Sequence, residues 1–273
     1  TFNDEWQVAF GGRFDQQNRE GADSDSFVPK FGVLYHPQDE MTVYVNYSES
    51  FEPQRSETLN DELDINHGMK LDAVTSKQVE IGGKWQVSDR LLVETAIFDI
   101  EKSGTLISQA LPDNAQFETV TTQSGLQRHK GFELSAQGAV TDRLFLMAST
   151  MYLNAKYEKD AKYQGKTPVD APKWSASVWS RYEMSDALSF NAGVFYQGKR
   201  FADTNNTVEK DAYARVNVGA IYSTEISGQD VDFRLNIENL FDTDYLAGGG
   251  LNNVTIGNGT MARSGACCWQ LRW

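Results

Sequence analysis

The stretch Val79-Glu80-Ile81-Gly82-Gly83-Lys84-Trp85-Gln86-Val87 alternates without a break. In an extended chain Val79, Ile81, Trp85 and Val87 fall on one side with Gly83. Gln78, Glu80, Lys84 and Gln86 fall on the other with Gly82. A helical period would scatter these charges around the element, whereas a period of two segregates them. The stretch is a strand with one apolar and one charged face.

The pattern repeats in both directions. Met41, Val43, Val45 and Tyr47 alternate with Thr42, Tyr44, Asn46 and Ser48. Val231, Phe233, Leu235, Ile237 and Phe241 alternate with Asp232, Arg234, Asn236 and Glu238. Twelve strands are expected, with cores near 5–15, 27–36, 41–51, 76–87, 91–102, 128–139, 144–157, 173–183, 188–200, 212–224, 230–241 and 261–273.

Five connections are short: Pro37-Gln38-Asp39, Ser88-Asp89, Thr141-Asp142, Ser185-Asp186 and Ser227-Gly228. The others are long and polar, among them Glu52 to Thr75, Ser103 to Gln127 and Asp242 to Thr260. Short and long connections alternate. An up-and-down meander does this, collecting all short turns at one end, and transmembrane β-barrels are built so. The expectation is an all-β, antiparallel up-and-down transmembrane β-barrel, its single domain running through 1–273. Segments 52–75, 103–127, 158–172, 202–211 and 242–260 should lie on the extracellular side.

The two faces agree with that. Trp6, Val8, Phe10, Phe31, Val33, Val93, Ile97, Phe132, Leu134, Val178, Val194, Val216 and Val218 would meet lipid. The opposite face carries Arg13, Glu80, Lys84, Glu94, Glu133, Arg181, Arg215, Arg234 and Glu238. Charges of both signs cannot line a dry core, because each costs several kcal/mol to desolvate. They can line a wet or plugged lumen, paired with whatever fills it or with one another across strands. Aromatics near strand ends (Tyr35, Tyr47, Phe51, Tyr152, Tyr157, Tyr182, Tyr196 and Tyr222) suit interfacial girdles.

Composition excludes other classes. A net charge of -13 over 273 residues argues against nucleic acid, whose phosphates need a basic surface. No apolar run is long enough for a membrane helix, which leaves a barrel open. The chain opens at Thr1 almost directly on a strand pattern, so a leader and further segments are expected outside it. Cys267 and Cys268 are adjacent, too close for a disulfide, and no metal-ligand spacing accompanies them. His36, His67 and His129 are scattered, and a Ser149, His129 and Asn154 set has no spacing signature, so neither a metal, a cofactor nor catalysis is expected.

Several segments resemble the C-terminal barrel of TonB-dependent siderophore receptors. "FVPKFGVLYHPQDEMTVYVNYSESFEPQ" from Phe27 looks like that family's paired strands, and "LDAVTSKQVEIGGKW" from Leu71 like its Tyr-Glu-x-Gly-x-Lys strand. "AIFDIEKSG" from Ala96, "RHKGFELSAQGAVTDRL" from Arg128, "APKWSASVWSRYE" from Ala171, "GVFYQGKRFADTNNT" from Gly193 and "LNIENLFDTDYLAG" from Leu235 follow in the family's order. The Asn239-Leu240-Phe241-Asp242 core followed by Tyr245 is the most specific match. Trp269, Leu271 and Trp273 alternate to an aromatic end, similar to the strand read by the barrel-assembly machinery, although that pattern usually ends in Phe.

The resemblance implies a larger plugged barrel of about 22 strands, of which this chain supplies about twelve without the plug. It implies a receptor in the bacterial outer membrane that binds a ferric siderophore and is energised through TonB. Extracellular aromatics would hold the chelate; candidates are Phe117, Tyr157, Tyr163, Trp174, Phe201, Tyr213 and Tyr245, each of which could equally be a girdle or loop-packing ring. Four alternatives stay open: a passive porin-like channel, an adhesin barrel, a barrel enzyme, or a TonB-dependent receptor for haem, cobalamin or a glycan.

Overall fold

The computed structural model describes residues 5–19, 22–54, 56, 58–113, 115–246 and 270–272, with backbone alone at 17–19, 22–25 and 270–272. Its strands are β1 (Trp6–Arg19), β2 (Ala22–Gln38), β3 (Met41–Glu52), β4 (Val74–Ser88), β5 (Leu91–Ala110), β6 (Thr119–Ala139) and β7 (Leu144–Lys159). There follow β8 (Trp174–Glu183), β9 (Leu188–Gln197), β10 (Arg200–Phe201), β11 (Glu209–Lys210), β12 (Tyr213–Ile226), β13 (Gln229–Ile237) and β14 (Gln270–Arg272).

The chain forms two compact units. One comprises Thr1–Gly83, Ala96–Gly131 and Asn154–Pro168; the other comprises Lys84–Thr95, Phe132–Leu153 and Val169–Trp273. In the first, strands β1 to β7 are neighbours in chain order; in the second, β4 to β9, β12, β13 and β14 follow likewise, while β10 and β11 form a separate ribbon.

Register keeps like with like. In the first unit Val8 faces Val33, which faces Val45, and Phe10 faces Phe31, which faces Tyr47. In the second, Ala148, Val178, Val194 and Val216 make one row across β7, β8, β9 and β12. A slip of one residue would turn every one of these to the charged side.

The core is inverted relative to a water-soluble sheet. Phe10 is 87 % exposed, Ile97 67 % and Ile81 54 %, whereas Val28, Val74, Ala96 and Phe98, on the alternate positions, are buried. Exposure of a large apolar side chain to water forfeits about 1.5–3 kcal/mol each. A face of such residues on strand after strand is stable only against an apolar surrounding.

Turns follow residue chemistry. Ser227 (φ 56°) and Gly228 (φ 77°) both adopt left-handed backbone between Ile226 and Gln229, the two-residue hairpin whose twist matches its strands. The β2–β3 turn is displaced from the expected Pro37–Asp39 to Asp39–Glu40. Pro37 has no N–H to donate, and the register shifts between Tyr35 and Gln38 to accommodate it.

The expected long loop at 103–127 is corrected: β5 continues to Ala110 and β6 begins at Thr119, so only 111–118 connects them. The 202–211 loop is likewise bounded by the β10–β11 ribbon, and the strand expected at 230–241 ends at Ile237. Beyond the apolar band no lipid imposes alternation, and residues such as Ile107 and Thr121 are covered by chain distant in sequence, so the period vanishes while backbone pairing continues. The expected strand at 261–273 lies mostly outside the described residues; the backbone of 270–272 pairs with β13, Leu271 opposite Phe233. Trp269, Trp273, Cys267 and Cys268 lie outside the described residues.

Candidate ligand-binding surface

The most developed cluster in the second unit begins with the turn after β13. Asn239 (φ 50°) and Asp242 (φ 52°) bend the chain back on itself. The Asn239 side chain accepts from Thr243 N at 3.0 Å and donates to Thr243 O at 3.0 Å, while its own N–H donates to Asn217 Oδ1 at 2.9 Å. Leu240 N donates to Val216 O at 2.7 Å, pinning the turn to β12. The Asn-Leu-Phe-Asp core is therefore a side-chain-braced reversal.

That reversal delivers Tyr245 onto Tyr213, with ring centroids 4.4 Å apart and planes inclined by 19°. Arg215, two residues along β12 on the same face, donates from Nη1 to the Tyr245 hydroxyl at 3.2 Å and lies 5.3 Å from the Phe195 ring. The Tyr213 hydroxyl donates to Gln197 Oε1 at 2.9 Å. The result is a stacked, hydroxyl-bearing aromatic pair beside a guanidinium.

Behind this pair lies a buried ionic knot. The carboxylate of Asp170 accepts from Arg200 Nε at 3.2 Å and from Lys210 Nζ. Arg200 and Lys210 are each only 2 % exposed. Arg200 also donates to Leu246 O and stands 5.6 Å from the Tyr213 ring centroid. Two buried cations on one carboxylate tie the 169–173 segment and the β10–β11 ribbon to the end of the turn. Asp170 adopts φ 58°, and its N–H donates to Phe201 O at 3.0 Å.

The first unit has its own surface. The 53–73 connection folds over Asp64, which is fully buried. Burial by itself would push the Asp64 carboxyl up, but hydrogen bonds from Thr121, Asn66 and Thr119 hold it below the usual carboxylate range. Asn66 N donates at 2.8 Å and Thr119 Oγ1 at 2.9 Å. Beside this brace is an open cleft of about 450 Å³, floored by Val74, Thr105 and Leu106 and edged by the Lys102–Glu52 ion pair at 2.7 Å. The 157–166 hairpin brings Tyr157 and Tyr163 to 6.1 Å, with Asp160 Oδ1 accepting from Lys162 N and Tyr163 N.

Of the seven expected aromatics, the structure thus pairs Tyr157 with Tyr163 and Tyr213 with Tyr245. Phe201 sits in the ribbon opposite Glu209, and Phe117 is half-buried in the 111–118 connection. Trp174 packs on Phe132 (5.6 Å) and Tyr152 (5.1 Å), on the face that carries Val178. Asp64, Asp170, Arg200 and Lys210 carried no signal in the sequence, because their pairing spans loops distant along the chain.

Most charged-face residues find partners there. Lys84 pairs with Glu94 at 2.6 Å, Arg181 with Glu183 at 3.5 Å, Arg234 with Asp232 at 3.0 Å, and Arg13 with Asp15. Glu80 accepts from Tyr44 and Gln78, both at 2.8 Å. Glu133 receives Thr95 Oγ1 on its backbone carbonyl, and Glu238 precedes the Asn239 turn.

Residues 1–240 match the family model for the TonB-dependent receptor-like β-barrel. The chain is 30 % identical over 258 residues to the ferrichrome outer membrane transporter/phage receptor of Escherichia coli K12, covering 88 % of this chain and 33 % of that protein. It is 30 % identical over 243 residues to the probable TonB-dependent siderophore receptor PiuA of Acinetobacter baumannii, covering 81 % and 31 %. The crystal structure of the A. baumannii siderophore receptor PiuA superposes with a TM-score of 0.73 at 25 % identity, over 89 % of this chain and 37 % of that one. The ferric preacinetobactin receptor BauA gives a TM-score of 0.75 at 24 % identity and supports the fold alone. The chain spans about a third of the length of the curated relatives it matches. With its consecutive antiparallel strands and outward apolar face, the chain belongs to the TonB-dependent receptor β-barrel family and forms part of such a transmembrane barrel.

Proposed function

We propose that the protein carrying this chain is a bacterial outer-membrane receptor that imports a ferric siderophore, energised through TonB, and is not an enzyme. The chain supplies barrel wall and ligand-facing connections. The plug and the TonB-contacting segment would come from residues outside it, and the C-terminal strand would address it to the barrel-assembly machinery. The observation that carries the reading is the Tyr213–Tyr245 stack with Arg215 against the Tyr245 hydroxyl, on a face where Lys84, Arg181 and Arg234 are paired with carboxylates. Stacked phenol rings give large contact area at low entropic cost, and a guanidinium beside them favours a ligand bearing oxygen acceptors. The names of the relatives, which are siderophore receptors, point the same way.

The test is iron-limited growth of a receptor-null strain carrying the full-length gene, fed ferric chelates one at a time. Rescue by at least one chelate, lost on deleting TonB, is the expected result. Trimming 158–172 or 242–260 without disturbing assembly should weaken chelate binding. Absence of rescue and binding by every chelate, despite surface assembly, would overturn the reading. Rescue by haem, cobalamin or a glycan instead would redirect it.

A further inference from the structure

On the charged face of the second unit one patch is apolar. Register sets it out in cross-strand rows over β7, β8, β9 and β12. Ser149, Ser177, Phe195 and Arg215 make one row; Met147, Trp179, Gly193 and Asn217 make the next. Alternation along the strands puts both rows on the side away from Val178 and Val194. A Cβ on Gly193 would collide with the Trp179 ring, so the indole lies over bare backbone. Ser149 and Ser177, whose hydroxyls are 2.9 Å apart, are small beside their neighbours. Between them and the bulk of Trp179, Phe195 and Met147 is a hollow of about 320 Å³. A cavity of about 150 Å³ suffices for a benzene ring.

Met147 is 47 % exposed there. An apolar side chain on a wet wall forfeits transfer free energy until something covers it, and an exposed apolar patch among polar residues marks an interaction site. The hollow is continuous with the Tyr213–Tyr245 surface. Phe195 is one of its walls, and the Arg215 guanidinium lies 5.3 Å from that ring. Arg215 in turn donates to the Tyr245 hydroxyl at 3.2 Å. Tyr213 stands in the row on the other side of Arg215, opposite Gln197. The tyrosine stack, Arg215, Phe195 and Trp179 therefore make one track across three neighbouring rows.

We propose that the hollow between Trp179, Phe195 and Met147 is a separate subsite that takes a flat aryl group of the iron chelate. The inference rests on the receptor reading and narrows it to an aryl-bearing ligand. Indole and phenyl walls favour an aromatic ring in offset or edge-on contact, and a methionine adapts to its outline. Two hydroxyls that share one hydrogen bond keep a second hydrogen to donate, which suits an oxygen substituent on the ring. Continuity with Arg215 and the tyrosine stack selects the chelate as occupant over a segment of polypeptide.

The experiment uses the full-length receptor and two neutral probes, the ferric tris-complexes of benzohydroxamate and of acetohydroxamate, which differ only in phenyl against methyl. The wild type should bind the phenyl complex about tenfold more tightly, since the ring is both buried and stacked. Ser177→Leu, which fills the hollow, and Trp179→Ala, which removes a wall, should each bring that ratio below about twofold. Equal affinity of the wild type for both complexes overturns the subsite and leaves the receptor reading standing, as does a ratio that neither variant changes. If the variants fail to assemble, fluorescence decides. The phenyl complex should quench Trp179, read as the difference between wild type and Trp179→Phe, and equal quenching by the methyl complex overturns the subsite. If neither complex binds, iron-limited growth decides. Rescue confined to aryl-bearing chelates supports the subsite, rescue by aryl-free chelates alone removes it, and rescue by no chelate removes the receptor reading and the subsite together.

Discussion

The ring of Tyr245 lies 4.4 Å from that of Tyr213, and its hydroxyl accepts from Arg215 at 3.2 Å. The stack fixes the chain end of the Asn239 turn against β12 and leaves a phenol–guanidinium pair on the charged face. Tyr245→Phe keeps the stack and removes the hydroxyl. It should cost about 1 kcal/mol in chelate affinity with little change in stability. Tyr245→Ala should cost more in both, since stacked pairs contribute about 0.5–1.5 kcal/mol beyond burial. Fluorescence titration of the full-length receptor with its ferric chelate measures it; unchanged affinity in both variants would remove the pair from the binding surface.

Asp170 holds two buried cations. Asp170→Asn preserves a left-handed backbone, which Asn tolerates, and removes only the charge. Removing the carboxylate charge from beside two buried cations should destabilise the region by about 3–5 kcal/mol. Hydrogen exchange across 198–212 is expected to speed up strongly while β1 to β3 stay protected. Unchanged exchange would mean that groups other than Asp170 balance Arg200 and Lys210.

Asp64 gives the 58–70 brace a pH dependence. Its folded carboxyl sits below the ordinary value of 3.8. A depressed carboxyl contributes stability that is present above the unfolded value and lost as pH falls through the folded one. Protection of the Asn66 and Met69 amides, corrected for intrinsic exchange, should therefore be level above about pH 5 and decline below about pH 4. Asp64→Asn should flatten that decline. A wild-type decline beginning near neutrality would point to a different group.

Val43, Val45 and Ile81 are 40 %, 44 % and 54 % exposed, and Val216 shares a row with Val194 and Val178. Arg at a midplane site among them should cost about 2–4 kcal/mol in lipid. Denaturant titration of the receptor in bilayers measures it. Costs under about 0.5 kcal/mol at all four, typical of wet surface, would reverse the face assignment.

The sequence by itself determined the strand faces, the order of strands and the short turns. Alternation such as that of Val79 to Val87 is local, and a residue's face depends only on its parity along the chain. The Asn239–Tyr245 motif was legible as a family signature for the same reason. Tertiary structure alone decided where strands stop and which groups share charge. Ser103–Ala110 and Thr119–Gln127 are strand because partners pair with them, and the burial of Ile107 and Thr121 there comes from chain distant in sequence, so no hydrophobic pattern marks them. Asp170 meets Arg200 and Lys210, and Asp99 meets Arg128 and Lys130, across gaps in sequence that no periodicity encodes. Those pairings depend on register and loop closure, which are properties of the assembled sheet and not of any one strand.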